Sequence, residues 1–392
     1  MNGPEKSDSP IVAVKPANEA ARAAEQQVEP RGGTKENADQ QTTVRTQSRE
    51  AVSHAQARIR EAVTRNRAQP LTTLLHHVSV DVLRAGFFGL KKNAAPGVDG
   101  LTWTQYEEGL EANLQSLHAR VHGGGYRALA SRRRYIPKAD GRRRPLGIAA
   151  LEDKIVQAAV AAILTPIYET EFLGFSYGFR PERGQHDALD ALAYGLGKRR
   201  INWVLDADIR SFFDTISHAW LIRFIEHRIG DRRIVRLIRK WLAAGVLEEG
   251  RKIETVEGTP QGAVISPLLA NVYLHYVYDL WVRQWRQRQS TGDMIVVRYA
   301  DDTIVGFEHQ DDAERFLEDL SLRMADFELG LHPEKTRLIE FGRRAIARRR
   351  ARGLSKRRRS TSLGSRTIAR PDEAAAASCW EGRQLASGCG RS

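Results

Sequence analysis

The sequence predicts an α+β fold built around a pair of adjacent carboxylates. Residues 294–307 contain two runs rich in Ile, Val and aromatic side chains that flank Tyr-Ala-Asp-Asp, which is the pattern of a β-hairpin. Residues 203–209 alternate as a half-buried strand that carries Asp206 and Asp208. Segments with helical periodicity, such as 151–168, lie between the strands. Strands interleaved with helices in this way indicate an α+β domain.

The tip of the predicted hairpin places Asp301 beside Asp302. Like charges repel, so the pair destabilises the turn unless a cation neutralises it. Aspartate is also common in solvated turns, and the dipeptide alone does not decide between these interpretations. The decision depends on whether another carboxylate meets the pair.

The predicted strand supplies that carboxylate. Asp208 shares one face with Val204 and Asp206, whereas the opposite face, expected to pack against helices, holds Leu205, Ala207 and Ile209. A carboxylate on a mostly apolar strand is costly to bury without a partner. If the strand pairs beside the hairpin, Asp208 and Asp301 converge on one site. Their hard oxygens suit Mg²⁺, and two such ions about 4 Å apart assist in-line attack on a phosphate.

Seven short strings rich in glycine, proline and charged residues lie along the chain. They are Pro-Gly-Val-Asp-Gly (96–100), Arg-Pro-Leu-Gly-Ile (144–148), Ser-Tyr-Gly-Phe-Arg-Pro (176–181), Gly-Thr-Pro-Gln-Gly (258–262), Ile-Ser-Pro-Leu-Leu-Ala-Asn (265–271), the Asp-Asp hairpin and Glu-Lys-Thr (334–336). Each string alone is weak, but seven in one order are very specific. With Phe-Phe-Asp following Asp208, the chain resembles a reverse transcriptase, and more narrowly the reverse transcriptase/maturase proteins encoded by bacterial group II introns.

The resemblance implies a right-hand polymerase fold, with a fingers-like region at 66–200 and a palm at 201–345. It implies that Asp208, Asp301 and Asp302 hold two Mg²⁺ ions, one at the primer 3′-hydroxyl and one at the leaving phosphates. The expected function is that of an RNA-directed DNA polymerase, which copies intron RNA onto a DNA primer or target from deoxynucleoside triphosphates. Assistance in intron splicing and mobility is implied by the resemblance alone.

A predicted hairpin at 126–148 concentrates positive charge. Six arginines and Lys138 flank a turn at 139–141. Charge discourages edge-to-edge pairing of strands, so a solvated edge is one interpretation. Because the hairpin ends in the Arg-Pro-Leu-Gly-Ile string, we favour a triphosphate clamp, since charge-assisted contacts to phosphate are strong and Arg can be bidentate. The candidates are Lys138 and Arg144.

The resemblance also suggests roles for three further residues. Phe213, five positions after Asp208, is expected to screen the 2′ position of the incoming sugar; the alternative, a plain core position, fits Phe212 better. Gln261 can offer a donor and an acceptor to a nucleotide from a glycine-rich loop. Lys335 resembles a lysine near the leaving pyrophosphate, as a general acid or a phosphate contact, and a solvated lysine is the alternative.

Composition sets broader limits. The chain has 392 residues, 41% of them hydrophobic, which allows two or three compact units. It shows no apolar signal and no run of transmembrane length, which predicts a cytoplasmic protein without a membrane partner. Cys379 and Cys389 lie at the extreme end, so neither a disulfide nor a zinc site is expected in the core.

The net charge of +13 indicates a polyanionic partner. However, residues 341–392 carry 14 of the 61 basic and 3 of the 48 acidic side chains, so most of the net charge belongs to this tail.

Both ends of the chain are expected to be disordered. Residues 1–65 are polar, with at most a transient helix from residue 51, and residues 346–392 are basic and lack helical periodicity. Members of the family continue into an α-helical thumb, which we expect to be missing. From about residue 357 we expect a shifted reading frame. Residues 357–367 can be encoded by codons that, with one base added, encode a Phe-Leu-Gly-Phe string, which the family carries at the palm–thumb junction. The gene's nucleotide sequence tests this expectation.

Two alternatives remain open. The chain could be another bacterial reverse transcriptase, of the retron or diversity-generating type, which the presence of group II intron RNA around the gene would decide. It could also be an inactive, truncated RNA-binding remnant, because without a thumb the primer–template duplex loses one wall and many phosphate contacts. For such a chain we expect weak, non-processive synthesis at best and no maturase activity. Primer extension on an RNA template separates these possibilities.

Overall fold

The computed structural model describes residues 35–65, 69–137, 143–248, 250–253, 257–259 and 262–341. Within these ranges the helices are α1 (Lys35–Arg65), α2 (Val80–Phe88), α3 (Trp103–Glu107), α4 (Leu110–His122), α5 (Leu151–Tyr168), α6 (Gln185–Lys198), α7 (Phe212–Thr215), α8 (His218–Arg228), α9 (Arg232–Ala243), α10 (Ser266–Leu274), α11 (Leu280–Arg288) and α12 (Gln310–Ala325). A 3₁₀ turn spans Leu75–His77, and a π-helical segment, His275–Asp279, joins α10 to α11.

The strands of the described ranges form two sheets of four. They are β1 (Ser131–Pro137), β2 (Arg143–Ile148), β3 (Trp203–Asp208), β4 (Val246–Glu248), β5 (Arg251–Ile253), β6 (Met294–Tyr299), β7 (Asp302–Phe307) and β8 (Arg337–Glu340). The first sheet has the order β2-β1-β4-β5 and the second the order β6-β7-β3-β8. Helices and mixed sheets in one chain make this an α+β fold, as predicted.

The expectation of disorder up to residue 65 is wrong for α1. Ile59 and Val63 of this helix are fully buried, and Gln56 Nε2 donates to the Ala162 carbonyl at 3.0 Å. The segment is polar overall, but a few apolar residues on one face suffice when they pack against α2 and α5. Residues 1–34 and the tail from 342 onward lie outside the described residues.

Capping residues divide two segments in which apolar residues recur at helical spacing. In the first, 71–90, α2 begins only at Val80, where the Ser79 side chain accepts from Val82 N. The segment 102–121 is likewise two helices, separated at Gly109; the first begins with a capping box between Thr102 and Gln105.

The first sheet combines distant parts of the sequence. β1 and β2 form an antiparallel hairpin in which Arg144 lies opposite Ile136. β4 joins β1 in parallel, with Ser131 opposite Val246, and β5 follows as an antiparallel neighbour. Since β4 and β5 come from the range predicted as palm, the boundary expected near residue 200 does not separate the two sheets.

The second sheet is antiparallel and is covered by helices on both faces. Leu205 and Ala207 belong to the main core, which confirms that their face of β3 packs against helices. The opposite face also packs: Val204 and Ile304 lie in a smaller cluster with Leu192 of α6. No helix in the described ranges is long and apolar enough to cross a membrane.

Candidate active site

The β6–β7 hairpin closes with a two-residue turn, Ala300 and Asp301. Ala300 has φ = 55°, in the left-handed region that residues with a Cβ rarely occupy. Such a backbone conformation costs on the order of 1–3 kcal/mol and persists where neighbouring structure holds it. The turn that carries the candidate carboxylates is therefore held in place by its surroundings.

The pairing of β3 with β7 brings the predicted carboxylates together. Asp208 lies directly opposite Asp302, so the two residues share one face of the sheet. Burial and the nearby Asp208 carboxylate raise the pKa of Asp301, whereas its own backbone N–H and the guanidinium groups of Arg144 and Arg298 act in the opposite direction. The charges of Asp208 and Arg144 therefore both act on Asp301, although Arg144 belongs to the other sheet.

Lys335 reaches the same site from the segment after α12. Its Nζ lies 3.1 Å from Asp208 Oδ2. Backbone contacts fix this segment along the end of β3, because His332 N donates to the Asp208 carbonyl at 2.8 Å and Asp208 N donates to Thr336 Oγ1 at 3.4 Å. The lysine thus forms an ion pair with Asp208 at the end of β3.

The described residues of the glycine-rich string, Gly258, Thr259 and Gly262, contact the Phe213 segment and β2. Thr259 N donates to the Phe213 carbonyl at 2.7 Å. A Cβ on Gly258 would lie 2.9 Å from the Asp214 carbonyl, and one on Gly262 would lie 3.2 Å from the Gly147 carbonyl. Only glycine permits such close approach of two backbones. Consequently the loop connects Phe213 to the strand that carries Arg144.

Of the remaining candidates, Phe213 lies in a described part of the chain, whereas Lys138 and Gln261 do not. Phe212 is buried in the core, as expected, and Phe213 is half-buried beside it. Lys138 and Gln261 fall outside the described residues, so their positions are not part of the site described here.

The carboxylates of the site are possible ligands for a divalent cation. Among the described residues, no group of three His, Cys, Asp or Glu side chains is gathered closely enough to count as a ready metal site. Two carboxylates do lie side by side, since Asp302 is directly opposite Asp208 on the neighbouring strand, and Asp301 immediately precedes Asp302. Hard oxygens that repel one another fit Mg²⁺, which takes few protein ligands and completes its shell with water and phosphate.

The sequence analysis did not identify Arg298 and its hydrogen-bond partners, which contact the β6–β7 hairpin on its buried side. Arg298 is 1% exposed, and its guanidinium contacts Asp279, Asn271 and Ser176. A sequence signal was present, because an arginine in an otherwise apolar strand must find buried partners. The partners themselves lie on α10, on the π-helical segment and in the loop before α6, and no local pattern links them to the hairpin.

The sequence analysis also did not identify Gly178 as a contact of the hairpin turn. A Cβ at this position would lie 2.2 Å from Ala300 N and 2.9 Å from the Tyr299 carbonyl carbon. The loop around Gly178 adds to the edge of β6, where Tyr177 N donates to the Arg298 carbonyl and Arg298 N donates to the Phe175 carbonyl, both at 2.8 Å.

Comparison with known proteins gives this arrangement a family. A family model described as reverse transcriptase (RNA-dependent DNA polymerase) matches residues 136–365, which include the whole second sheet with the carboxylate hairpin and, from the first sheet, β2, β4 and β5. Protein YkfC of Escherichia coli K12 is 40% identical over 220 residues, 52% of this chain and 57% of that protein. The group II intron-encoded protein LtrA of Lactococcus lactis is 37% identical over 209 residues, 53% of this chain and 34% of that protein.

A third relative points in the same direction. The uncharacterized 91 kDa protein in the cob intron of Schizosaccharomyces pombe is 44% identical over 144 residues, 37% of this chain and 18% of that protein. The chain thus spans 57% of the length of the first of these relatives and smaller shares of the other two. The match over more than half of the chain is decisive: this chain belongs to the reverse transcriptase family, and it resembles the members that group II introns encode.

Proposed function

We propose that the protein is an RNA-directed DNA polymerase of a group II intron. The observation that carries this proposal is the pairing of β3 with β7, which sets Asp208 opposite Asp302 and beside the Asp301 turn, with Lys335 Nζ 3.1 Å from Asp208 Oδ2. Paired carboxylates beside a cationic side chain suit the transfer of a nucleotide, because both the attacking oxygen and the triphosphate are negatively charged. The family match supports the assignment.

In this proposal the second sheet is the palm and the first sheet belongs to the fingers. The palm supplies Asp208, Asp301 and Asp302, and the fingers supply Arg144 and Lys138. The loop at 258–262 forms the wall between them and presents Gln261 to the nucleotide. This assignment is supported by the loop's contacts with both Phe213 and β2.

The carboxylates would hold two Mg²⁺ ions, which when bound activate the primer 3′-hydroxyl and neutralise the leaving phosphates. Arg144 binds the triphosphate and keeps it close to Asp301. Lys335, next to Asp208, contacts the phosphates or donates a proton to the pyrophosphate. Phe213 lies under the sugar of the nucleotide and excludes a 2′-hydroxyl.

The partners follow from the same assignment. The template is intron RNA, the primer or target is DNA, and the substrates are deoxynucleoside triphosphates. A role in splicing is proposed from the similarity to LtrA, a group II intron-encoded protein. We also propose a cytoplasmic location, where a bacterial intron transcript would be found.

Primer extension tests this function. The full chain is incubated with a DNA primer annealed to an RNA template, deoxynucleoside triphosphates and Mg²⁺, and with EDTA as the control. We expect extension that depends on the metal. Binding of the RNA without extension would contradict the proposal and favour an RNA-binding protein without polymerase activity.

The choice between types of reverse transcriptase needs a second observation. A group II intron RNA encoded around the gene is expected under this proposal. Extension activity from a gene without such an RNA would instead indicate a retron or diversity-generating enzyme.

A further inference from the structure

A buried arginine lies directly beneath the hairpin turn. All five N–H groups of Arg298 have an acceptor: Nε and Nη2 donate to Asp279 Oδ1 and Oδ2 at 2.7 and 2.6 Å. Nη1 donates to Asn271 Oδ1 at 3.0 Å and to the Ala300 carbonyl at 2.8 Å, and Nη2 also donates to Ser176 Oγ at 2.7 Å. A planar guanidinium offers these donors in a fixed fork, so it fixes the relative positions of its acceptors.

One of those acceptors belongs to the strained turn itself. Ala300 has φ = 55°, and its carbonyl receives a hydrogen bond from Arg298 two residues earlier. Asp301 follows immediately, so the orientation of its carboxylate depends on this peptide. A backbone conformation that costs free energy by itself persists only where such contacts hold it.

The same network reaches the turn by a second route. Asn271 Nδ2 donates to the Gly178 carbonyl at 2.7 Å, while its Oδ1 accepts from Arg298. Gly178 in turn packs against Ala300 N so closely that no Cβ would fit. Arg298, Asn271, Gly178 and Ala300 therefore form a closed set of contacts around the turn.

The π-helical segment explains how Asp279 joins this set. Asn271 and Asp279 are eight positions apart, and in a regular α-helix they would point about 80° apart. A π-helical segment turns less per residue, because its hydrogen bonds span five residues. The segment His275–Asp279 thus brings Asp279 toward the face of Asn271. The same segment carries Tyr278, whose hydroxyl lies 2.6 Å from Thr303 Oγ1. Thr303 is the residue of β7 that lies opposite Arg298.

Burial separates this network from ordinary surface ion pairs. Asp279 is 0% exposed, Arg298 and Asn271 are 1% exposed, and Ser176 is 0% exposed. Charge at such depth requires complete pairing, which the five hydrogen bonds provide. Hydrophobic side chains of the same volume could pack here as stably, but they would not direct hydrogen bonds. The fully paired polar network therefore fixes the relative positions of the groups that it joins.

We propose that Arg298 is a positioning residue, which acts with Asp279 and Asn271 to hold the Ala300–Asp301 turn in the conformation that presents the Asp301 carboxylate. This inference rests on the proposed polymerase function for its effect on rate. Its structural part, the restraint on the turn, does not depend on that function.

The test compares two buried arginines. Arg298→Lys keeps the charge but cannot reproduce the fork of donors. The matched control is Arg228→Lys, because Arg228 is 4% exposed, pairs with Glu171 at 2.5 Å and lies outside the hairpin network. A double variant, Arg298→Met with Asp279→Leu, removes both charges so that neither is left buried and unpaired.

Two measurements are made on each full-length variant. Hydrogen exchange of the peptide covering 299–303 reports the turn without requiring polymerase activity. Single-nucleotide incorporation gives kcat and KM for the deoxynucleotide. For both Arg298 variants we expect faster exchange at the turn and a kcat lower by about 100-fold with little change in KM, since small misplacements of a reacting group have effects of that size. Arg228→Lys is expected to leave both measurements near those of the unmodified protein.

The outcomes separate the two proposals. Unchanged exchange at 299–303 in both Arg298 variants would overturn the positioning role, whatever the activity. The same losses in Arg228→Lys would reduce Arg298 to a general structural residue and would also overturn it. An inactive unmodified protein whose turn still loosens in Arg298→Lys would contradict the polymerase function and leave the restraint on the turn supported.

Discussion

Gly178 and Ala300 approach so closely that a Cβ on Gly178 would lie 2.2 Å from the Ala300 amide nitrogen. Real Cβ atoms do not approach a backbone atom that closely, so one of the two chain segments must move if the glycine is replaced. Because Ala300 is already in a strained conformation, the hairpin turn is the segment that we expect to shift.

We therefore predict that Gly178→Ala strongly lowers nucleotide incorporation. A shift of about 1 Å at Asp301 would reduce kcat by about 100-fold. Gly197→Ala is the control, because Gly197 is exposed on α6 and an added Cβ meets nothing within 4 Å. Single-turnover kinetics of both variants check the prediction, and equal activity in the two would show that the turn tolerates the extra methyl group.

Replacement of a carboxylate at the tip of the hairpin should separate chemistry from binding. Asp301→Ala is expected to abolish incorporation and to leave RNA affinity nearly intact, because Asp301 lies on a turn and not in the core. Primer extension and fluorescence anisotropy with labelled RNA measure the two properties. Asp311→Ala, at the exposed start of α12 beyond the other end of β7, should change neither. Parallel loss of RNA binding in Asp301→Ala would argue against a role confined to chemistry.

The half-buried ring of Phe213 offers a test of sugar discrimination. Phe213→Val is expected to admit ribonucleotides, because a smaller side chain leaves room for a 2′-hydroxyl. Phe213→Tyr keeps the ring and should retain the preference for deoxynucleotides. The measurement is the ratio of kcat/KM for a deoxynucleotide to that for the matching ribonucleotide. A ratio that stays the same in Phe213→Val would remove this residue as the gate.

Asp231 should make stability depend on pH. Its carboxylate accepts hydrogen bonds from Leu74 N and Leu75 N at 2.9 Å and from the Arg233 backbone and side chain. Burial alone would raise the pKa of Asp231, but the Arg233 side chain and the three backbone N–H groups outweigh it and lower the pKa to about 2. The folded state thus holds the charged form more tightly than the unfolded state does.

The sign of the effect follows from this lowered pKa. The stabilisation is complete above the ordinary aspartate pKa and is lost as the pH falls toward the folded-state pKa, with about half remaining at pH 3. Asp231→Asn should therefore lower the free energy of unfolding by about 2 kcal/mol at neutral pH and by less at low pH. Urea denaturation of both proteins at several pH values measures the difference. A difference that does not shrink with falling pH would contradict the assigned pKa.

The parts of the site that the sequence predicts are those encoded by short patterns. The period-two alternation around Asp208 predicts a strand, and the pattern around Asp301 predicts a hairpin. The pairing of β3 with β7 is what brings their carboxylates together. The proximity of Arg144 was anticipated only through the resemblance to a family, because no local rule relates a strand in one sheet to a turn in another.

The parts that the sequence does not predict depend on tertiary contacts. The helical register of Asp279 changes within a π-helical segment, and no periodicity rule anticipates such an insertion. The helix α1 is too polar to be predicted as ordered, yet Ile59 and Val63 complete a core built by later residues. In both cases the stabilising partners lie far away in the sequence.

The parallel pairing of Ser131 with Val246 has a consequence for the order of folding. The chain between these two residues contains β3 and therefore Asp208. The sheet that carries Arg144 thus cannot be completed until the strand that carries Asp208 has been synthesised. Contacts of such long sequence separation are slow to form because a large loop must close first. On the ribosome, the β1–β2 hairpin can form first, but the edge of β1 that later pairs with β4 stays open. A fragment that ends near residue 200 would leave this edge exposed, which favours aggregation.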